Sequence, residues 1–167
     1  MGTAVTSRHL AKLLRYTSNI FFAFDGDEAG GKAAWKAFEN ILPILREDTR
    51  IKYVFFDKEH DPDSYIRAFG KDAFDDLLKH GLRLSQFFLN RVKEVDDLTT
   101  IEGRSKAAAF GAKYIGKLRN DFLKAAFTEE ISKLCGMSLS GMIEQTTPPP
   151  INPNTPSSTE AKGNNQD

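Results

Sequence analysis

The sequence predicts an α/β protein in which a small parallel sheet with flanking helices is followed by a small all-helical subdomain. Two short apolar runs, 20–24 and 51–56, each lead into acidic residues, and an amphipathic helical pattern lies between them. Two successive units of strand, acidic turn and helix are typical of the α/β class. After residue 64 the apolar spacing is helical only, so we expect the sheet in the first half of the chain.

A helix and a buried strand are expected first. Ser7 is a suitable N-cap for a helix over 9–16, because a serine hydroxyl accepts a hydrogen bond from the first helical turn. One face of this helix carries leucines at three- and four-residue spacing: Leu10, Leu13 and Leu14. The unbroken apolar run 20–24 predicts a strand that is buried on both faces, as in a parallel sheet.

A second helix and a second strand complete the predicted sheet region. The helix is expected over 32–45, where apolar residues recur with helical period: Ala34, Ala37, Phe38, Ile41 and Leu45. Pro43 should bend or shorten this helix, because proline lacks a backbone N–H. The apolar, β-branched and aromatic run 51–56 predicts the second strand.

Helices alone are expected after residue 64. Two short helices, 65–69 and 73–79, should each stop at a glycine. Thr99 followed by Glu102 is typical of a capping box, which predicts a further helix to about residue 118. Asp121 opens a last helix, one face of which should be formed by Phe122, Ala126, Phe127, Ile131 and Leu134.

The pattern divides the chain into three regions. Residues 1–83 form the sheet domain, and residues 84–145 form the helical subdomain. Residues 146–167 are rich in Pro, Asn, Ser and Thr, with Ile151 as their only large apolar residue. Such a segment has almost nothing to bury, so we expect a disordered tail or a linker.

Composition limits the classes of function. Lysine and arginine together number 23, as do aspartate and glutamate, so any site for a polyanion must be local. The single cysteine, Cys135, excludes an intrachain disulfide and a cysteine-based zinc site, and we expect a small buried thiol near a helix end. No run approaches the roughly 18 apolar residues of a membrane helix. These features fit a cytoplasmic protein without a membrane partner.

Two pairs of aspartates follow the two predicted strands. Asp25 and Asp27 come directly after the first strand, and Asp61 and Asp63 follow the second. Open α/β sheets bind ligands beyond the carboxyl ends of their strands, and Mg²⁺ prefers carboxylate oxygens. Either pair alone is also typical of a helix N-cap or a turn. Both pairs together favour a metal site.

The stretch 24–34, which contains Asp25-Gly26-Asp27 and Gly30-Gly31, resembles the nucleotidyl-transfer fold called Toprim that topoisomerases and primases share. Further landmarks resemble those of bacterial DNA primase, in the same order: Gly2-Thr3-Ala4 with Thr6, Arg15-Tyr16-Thr17, Trp35, Glu39-Asn40, Asp61-Pro62-Asp63-Ser64 and 98–104. The resemblance covers about residues 2–140. It implies that the sheet is part of a Toprim catalytic domain.

The resemblance also implies a set of site residues. Asp25, Asp27, Asp61 and Asp63 would bind Mg²⁺ or Mn²⁺, and Asp25 and Asp27 would be catalytic. Lys32, at the start of the following helix, would contact a phosphate, although a solvated lysine is the plainer interpretation. The family makes short RNA primers, so the implied partners are single-stranded DNA template, ribonucleoside triphosphates and the RNA primer.

Several parts of the family pattern are not found in this sequence. They are the Glu-Gly-Tyr-Met-Asp segment with its catalytic glutamate, the zinc-binding domain, the basic half of the polymerase core and the C-terminal domain through which the family binds the replicative helicase. We therefore expect a truncated piece of the polymerase core that is inactive alone.

Two other functions compete with primer synthesis. The first is a non-catalytic remnant that acts as a binding or structural module. The second is a phosphoaspartyl phosphotransferase, since those enzymes also place acids after a buried strand. That class requires a nucleophilic Asp with a Ser or Thr and a Lys on later strands, and the sequence offers no such ordered set.

Overall fold

The computed structural model describes residues 5–57, 59–139, 141 and 143. The elements are α1 Ser7–Leu13, β1 Asn19–Asp25, α2 Glu28–Ile41, a 3₁₀ turn Leu42–Ile44, β2 Arg50–Phe56, α3 Pro62–Lys79, β3 Leu82–Arg83, α4 Leu84–Lys93, α5 Ile101–Ile115 and α6 Asp121–Cys135. The strands come from the first half of the chain and the last three helices follow them, so the α/β class predicted from the sequence is confirmed. Among the described residues, no helix is long and apolar enough to cross a membrane.

Three strands form the described sheet in the order β1-β2-β3. Strands β1 and β2 are parallel and in full register, from Asn19 opposite Arg50 to Asp25 opposite Phe56. The two-residue strand β3 pairs antiparallel with β2 and was not predicted, because two residues are too short to show an alternating pattern. The register brings the turns that follow β1 and β2 to the same edge of the sheet.

Strand β1 is buried on one face only, so the prediction of two buried faces is wrong. Ile20 and Phe22 are buried, whereas Phe21 is 46% exposed and Ala23 is exposed. Helix α2 packs on β1 from the buried side, while α3 packs against β2 and reaches Phe56 on the other side. Since side chains alternate between faces, the Phe21 face of β1 has no helix over it in the described part of the chain.

The caps of two helices differ from the predicted ones. Thr6, not Ser7, caps α1, because the Ser7 hydroxyl instead donates to the Asn40 carbonyl at 2.8 Å. Thr100, not Thr99, caps α5 by accepting a hydrogen bond from the first turn. Both shifts are of one residue, which is the usual uncertainty where several hydroxyl residues precede a helix.

Proline and glycine end helices where the sequence indicates. Helix α2 stops at Ile41, and the chain continues through Pro43 as a 3₁₀ turn, so the predicted shortening is confirmed. The helical segment α3 is broken at Gly70, whose φ of 83° lies in the left-handed region that favours glycine. The two short helices predicted on either side of that glycine are therefore present.

Helix α6 buries only part of the predicted face, because Phe127 and Ile131 are buried and Leu134 is half-buried, but Phe122 and Ala126 are not. Phe127, Ile131 and Cys135 are buried, whereas Phe122 is 78% exposed and Ala126 is exposed. Each residue turns a helix by about 100°, so positions 122 and 126 lie more than a quarter-turn from the stripe through Phe127. The buried thiol of Cys135 at the helix end agrees with the sequence expectation, and its burial raises the pKa of that thiol.

One apolar core runs through the described chain, from Leu10 in α1 to Ile143 near its end. An aromatic cluster around Trp35 joins α2 to the helical part: its ring centroid lies 4.7 Å from that of Phe38 and 5.0 Å from that of Tyr114. This core crosses the proposed boundary at residues 83 and 84, so the division into two regions stays a prediction. The predicted tail 146–167 lies outside the described residues.

Tyr53 places a polar group in this core without a protein partner. Its side chain is 1% exposed and its ring stacks on Phe87 with centroids 4.2 Å apart. Among the described residues, its hydroxyl has no hydrogen-bond partner, and burial raises its pKa. A buried hydroxyl without a partner is destabilising because it has lost its hydrogen bonds to water.

Replacing Tyr53 with Phe should therefore leave the free energy of unfolding unchanged or raise it by about 1 kcal/mol. The matched control is Tyr114→Phe, which removes a hydroxyl that donates to Glu39 at 3.2 Å and should lower the free energy of unfolding by about 1 kcal/mol. Urea unfolding of both variants measures the difference. A loss of stability in Tyr53→Phe equal to that of the control would show that the Tyr53 hydroxyl is hydrogen-bonded in solution.

Candidate functional site

An acidic cleft lies beyond the carboxyl ends of β1 and β2. It is lined by Asp25, Asp27, Glu59, His60, Asp61 and Ser64. Asp25 is the last residue of β1, Ser64 lies in the first turn of α3, and the other residues come from the turns that follow the two strands. The cleft therefore occupies the place where open α/β sheets bind ligands.

Gly26 holds the turn after β1 against the end of β2. Its N–H donates to the Phe56 carbonyl at 2.7 Å. A Cβ atom at this position would lie 2.5 Å from the same carbonyl oxygen, so a larger residue does not fit without a shift of the backbone. The two carboxyl ends are thereby joined by a backbone contact next to Asp25 and Asp27.

Asp27 is the N-cap of α2. Its Oδ1 accepts a hydrogen bond from the Gly30 N–H at 2.7 Å, which explains why the helix begins at Glu28 rather than at the predicted residue 32. A Cβ atom at position 30 would overlap the carbonyl oxygen of Asp25, so the first turn of α2 packs directly on the end of β1. The second carboxylate oxygen of Asp27 has no hydrogen bond within the described residues.

Asp61 caps α3 in the same way. Its Oδ1 accepts from the Ser64 N–H at 2.7 Å, and the Ser64 hydroxyl accepts from the Asp61 N–H at 2.8 Å. The hydrogen bonds from the backbone and side chain of Ser64 hold the pKa of Asp61 below its usual range. This carboxylate is ionised at neutral pH, with one oxygen engaged by the cap.

The structure separates two predicted site residues from this cleft. Asp63 does not line it; its exposed carboxylate pairs with Arg67 at 2.7 Å. Lys32 pairs with Glu28 at 2.6 Å and lines another cleft, beside Trp35. Three of the four predicted acids, Asp25, Asp27 and Asp61, therefore share one cleft. The roles assigned to all five residues stay predictions.

Three lining residues were not predicted as site residues: Glu59, His60 and Ser64. His60 Nδ1 lies 2.6 Å from Asp57 Oδ1, and its ring packs on Phe69 with centroids 5.0 Å apart. Their positions in the sequence could have indicated that they line the cleft, since all three flank the Asp61-Pro62-Asp63 turn that follows β2.

The donor set suits a hard divalent cation. Carboxylate oxygens are the preferred ligands of Mg²⁺ and Mn²⁺, and Asp25 makes no side-chain hydrogen bond that would occupy its oxygens among the described residues. In the described part of the chain, however, no group of three His, Cys, Asp or Glu side chains is close enough to hold an ion. An ion here would need water, substrate or further protein ligands in addition to these carboxylates.

Comparison with known proteins confirms the resemblance. A family model described as Toprim-like matches residues 1–66, and one described as the DnaB-helicase binding domain of primase matches residues 85–140. The DNA primase of Neisseria meningitidis serogroup A is 38% identical over 152 residues, which are 89% of this chain and 26% of that protein. The DNA primase of Escherichia coli K12 is 30% identical over 148 residues, again 89% of this chain and 26% of that protein.

Solved structures agree with the sequence matches. A crystal structure of a DNA primase domain from Pseudomonas aeruginosa matches with a TM-score of 0.81 and 34% identity, covering 87% of this chain and 45% of that one. The Escherichia coli primase catalytic core matches with a TM-score of 0.77 and 31% identity, covering 82% and 44%. This chain spans about a quarter of the length of the curated primases it matches.

The close approach at Gly30 can be tested by substitution. Gly30→Ala should lower the free energy of unfolding by about 2 kcal/mol, because its methyl group would overlap the Asp25 carbonyl and push α2 off the end of β1. The neighbouring Gly31→Ala is the matched control: its Cβ would meet no atom, and alanine favours a helix by about 1 kcal/mol over glycine. Urea unfolding that showed the same change for both would contradict the close approach.

Proposed function

We propose that this chain supplies the acidic part of a nucleotidyl-transfer centre for primer synthesis. About nine-tenths of the chain is similar to bacterial DNA primases, and the similar region makes up about a quarter of the length of each primase. The observation that supports this most directly is the acidic cleft. Asp25, Asp27 and Asp61, from the ends of two adjacent parallel strands, line one cleft in a chain that is 30–38% identical to DNA primases. The reaction is RNA synthesis directed by a DNA template.

The carboxylates act in this proposal by holding divalent ions, Mg²⁺ or Mn²⁺. Such ions neutralise the triphosphate and lower the pKa of the attacking hydroxyl. Asp25 and Asp27 would be the principal ligands, and Asp61 would join them through the oxygen that its cap leaves unused. Asp63 would have to leave Arg67 to take part.

In the same proposal, the ammonium group of Lys32 binds a phosphate. It lies on the first turns of α2, which begins beside the acidic cleft, but its ammonium is paired with Glu28. Both side chains are exposed, so this ion pair contributes little and a phosphate could displace Glu28. Ribonucleoside triphosphate and the RNA primer are the proposed sources of such phosphates.

Binding of single-stranded DNA at the acidic cleft requires more than this chain. The carboxylates of that cleft repel a polyanion, whereas nucleic-acid binding depends on lysine and arginine at the phosphates. The uncovered face of β1, with Phe21 exposed, and its unpaired outer edge in the described sheet are suited to further protein. We therefore place the chain in a larger catalytic assembly.

A second candidate function is docking of the replicative helicase. From the sequence, we expected the helicase to bind a C-terminal domain that is not found in this chain. The family model described as the DnaB-helicase binding domain of primase, however, matches residues 85–140, the region of α4, α5 and α6. A binding module of this kind would need no metal in the acidic cleft. Helicase binding without any contribution to synthesis would favour this candidate.

Metal binding tests the role of the carboxylates. Mg²⁺ or Mn²⁺ should bind weakly and raise the melting temperature of the chain, because an ion that binds only the folded state stabilises it. The double variant Asp25→Asn, Asp61→Asn should abolish that rise. Asparagine is also a good N-cap, so α3 keeps its cap in this variant.

The control for the metal test is Asp76→Asn, which removes a carboxylate that pairs with Lys79 at the far end of α3. Its metal response should equal that of the unaltered chain, as measured by differential scanning fluorimetry over a metal titration. An undiminished rise in the double variant would show that the ion binds elsewhere.

Primer synthesis tests the catalytic proposal. The chain alone should make no RNA primers on single-stranded DNA with ribonucleotides and Mg²⁺ in excess. Polymerisation needs the triphosphate, primer end and metals in one geometry, and a misplacement of about 1 Å can cost a hundredfold in rate. Adding, as a separate polypeptide, the part of the Neisseria meningitidis primase that precedes its similarity to this chain should restore synthesis.

Restored synthesis should disappear with Asp25→Ala and persist with Asp76→Asn, as measured by incorporation of labelled ribonucleotide. Template-dependent synthesis by the chain alone, lost with Asp25→Ala, would show that the active site is complete within these residues. No synthesis from the mixture, although the two polypeptides associate, would contradict the catalytic proposal.

A further inference from the structure

An exposed aromatic surface lies at the start of α3, next to the acidic cleft. It is made of the rings of His60, Tyr65 and Phe69, whose centroids lie 4.8 to 6.0 Å from one another. His60 also lines the acidic cleft, so the aromatic surface begins where the carboxylates end. We call these three rings the aromatic platform.

The sheet supports the aromatic platform. The ring of Tyr65 meets that of Phe56, the last residue of β2, edge to face with centroids 5.6 Å apart. Phe56 is 2% exposed, and its other neighbour is the stacked ring of Phe74 from the second half of α3. His60 is held in addition by Asp57, whose Oδ1 lies 2.6 Å from His60 Nδ1. Contacts within the chain therefore position the platform before any ligand binds.

Phe69 is the open end of the aromatic platform. It is 53% exposed, and it lies four residues after Tyr65 on the same side of the helix. Long side chains of a helix point back toward its N-terminus, which for α3 is the Asp61 cap in the acidic cleft. Single exposed apolar residues are common on protein surfaces, but this one extends a supported cluster of rings from the edge of a candidate site.

Asp25 and the aromatic platform lie on the same side of the sheet. Asp25 is the register partner of Phe56, and the side chains of paired residues in neighbouring strands point to the same face. Phe56 contacts Tyr65, so this is the face of β2 that α3 covers. A ligand held by the carboxylate of Asp25 would therefore be on the side of the sheet that carries the platform.

The chemistry of the two neighbouring surfaces matches the two ends of a nucleotide. Carboxylates bind divalent ions, and such ions bind phosphate oxygens. Aromatic side chains stack on nucleobases, with little dependence on which base is present, because every base has a π-face. A triphosphate that is held through ions in the acidic cleft leaves its sugar and base outside the carboxylates, where the platform begins.

We propose that the aromatic platform binds the base of a ribonucleoside triphosphate whose phosphates are held through divalent ions in the acidic cleft. The base stacks on the exposed part of Phe69, and His60 and Tyr65 keep that ring in place. Stacking accepts all four bases, so the platform positions the nucleotide and the template selects the base. This inference rests on the proposed function, because the acidic cleft fixes the position of the phosphates.

The test compares ATP with inorganic tripolyphosphate, which carries the phosphates without sugar or base. Each is titrated into the full chain with Mg²⁺ in excess, and its affinity is obtained from the rise in melting temperature. ATP should bind more tightly than tripolyphosphate. Phe69→Ala should weaken ATP binding at least about fivefold, the lower end of the effect of removing a stacking aromatic residue, and leave tripolyphosphate binding unchanged. Phe69→Trp keeps an aromatic face and should retain ATP binding.

The matched control is Phe122→Ala, which removes another exposed phenylalanine, 78% exposed at the start of α6. It should leave the binding of both compounds unchanged. Saturation-transfer NMR gives a second measurement, because the base protons of ATP should receive saturation from the unaltered chain and lose it with Phe69→Ala. Circular dichroism of each variant ensures that a loss of binding is not a loss of fold.

Two results would overturn this inference and leave the proposed function standing, provided that tripolyphosphate binds and Asp25→Asn with Asp61→Asn abolishes its binding. They are equal affinities of the unaltered chain for ATP and tripolyphosphate, and equal losses of ATP binding in Phe69→Ala and Phe122→Ala. If neither compound binds in the presence of Mg²⁺, the proposed function and the inference both fail.

A protein partner on the aromatic platform would give a different result. The neighbouring Ile66 is 40% exposed and would belong to such an interface. Phe69→Ala and Ile66→Ala would then both weaken association with the added part of the Neisseria meningitidis primase and leave ATP binding unchanged. That result would overturn the inference and assign the surface to protein.

Discussion

The structure depends on the close approach of three backbone segments at one edge of the sheet. The turn after β1 touches the end of β2 through Gly26, and the first turn of α2 lies directly on Asp25 because position 30 has no side chain. Helix α2 in turn carries Trp35 and Phe38, which join the sheet to α4 and α5. A shift at this edge would therefore move both the acidic cleft and the aromatic core.

The same hydrogen bonds that start two helices also orient the carboxylates. Asp27 and Asp61 each accept a helix-cap hydrogen bond with one carboxylate oxygen, which orients the side chain and keeps the other oxygen outside the cap. The hydrogen bonds from Ser64 also lower the pKa of Asp61. The structural and the functional interpretations of an acidic turn after a strand are thus compatible in this protein. The cap is the means by which a flexible carboxylate is held at the end of the sheet.

Sequence patterns predicted the parts of this molecule that depend on neighbours in the chain. The strand positions, the helix stop at Pro43 and the break at Gly70 follow from local chemistry and were found. The uncovered face of β1 and the exposure of Phe122 depend on which helices lie over them, and apolar spacing along the chain carries no such information. Asp63 lies away from the cleft for a similar reason: it is two residues past the cap and turns with α3 toward Arg67.

The balanced composition conceals a separation of charge along the sheet. Acidic residues collect beyond the carboxyl ends of β1 and β2, where Asp25, Asp27 and Asp61 lie, and basic residues collect at the amino end of β2. The two ends are separated by about the length of a strand, which exceeds the Debye length of about 8 Å at physiological ionic strength, so their electrostatic fields are largely screened from each other. The sheet therefore has an acidic end and a basic end although the chain as a whole has no net charge.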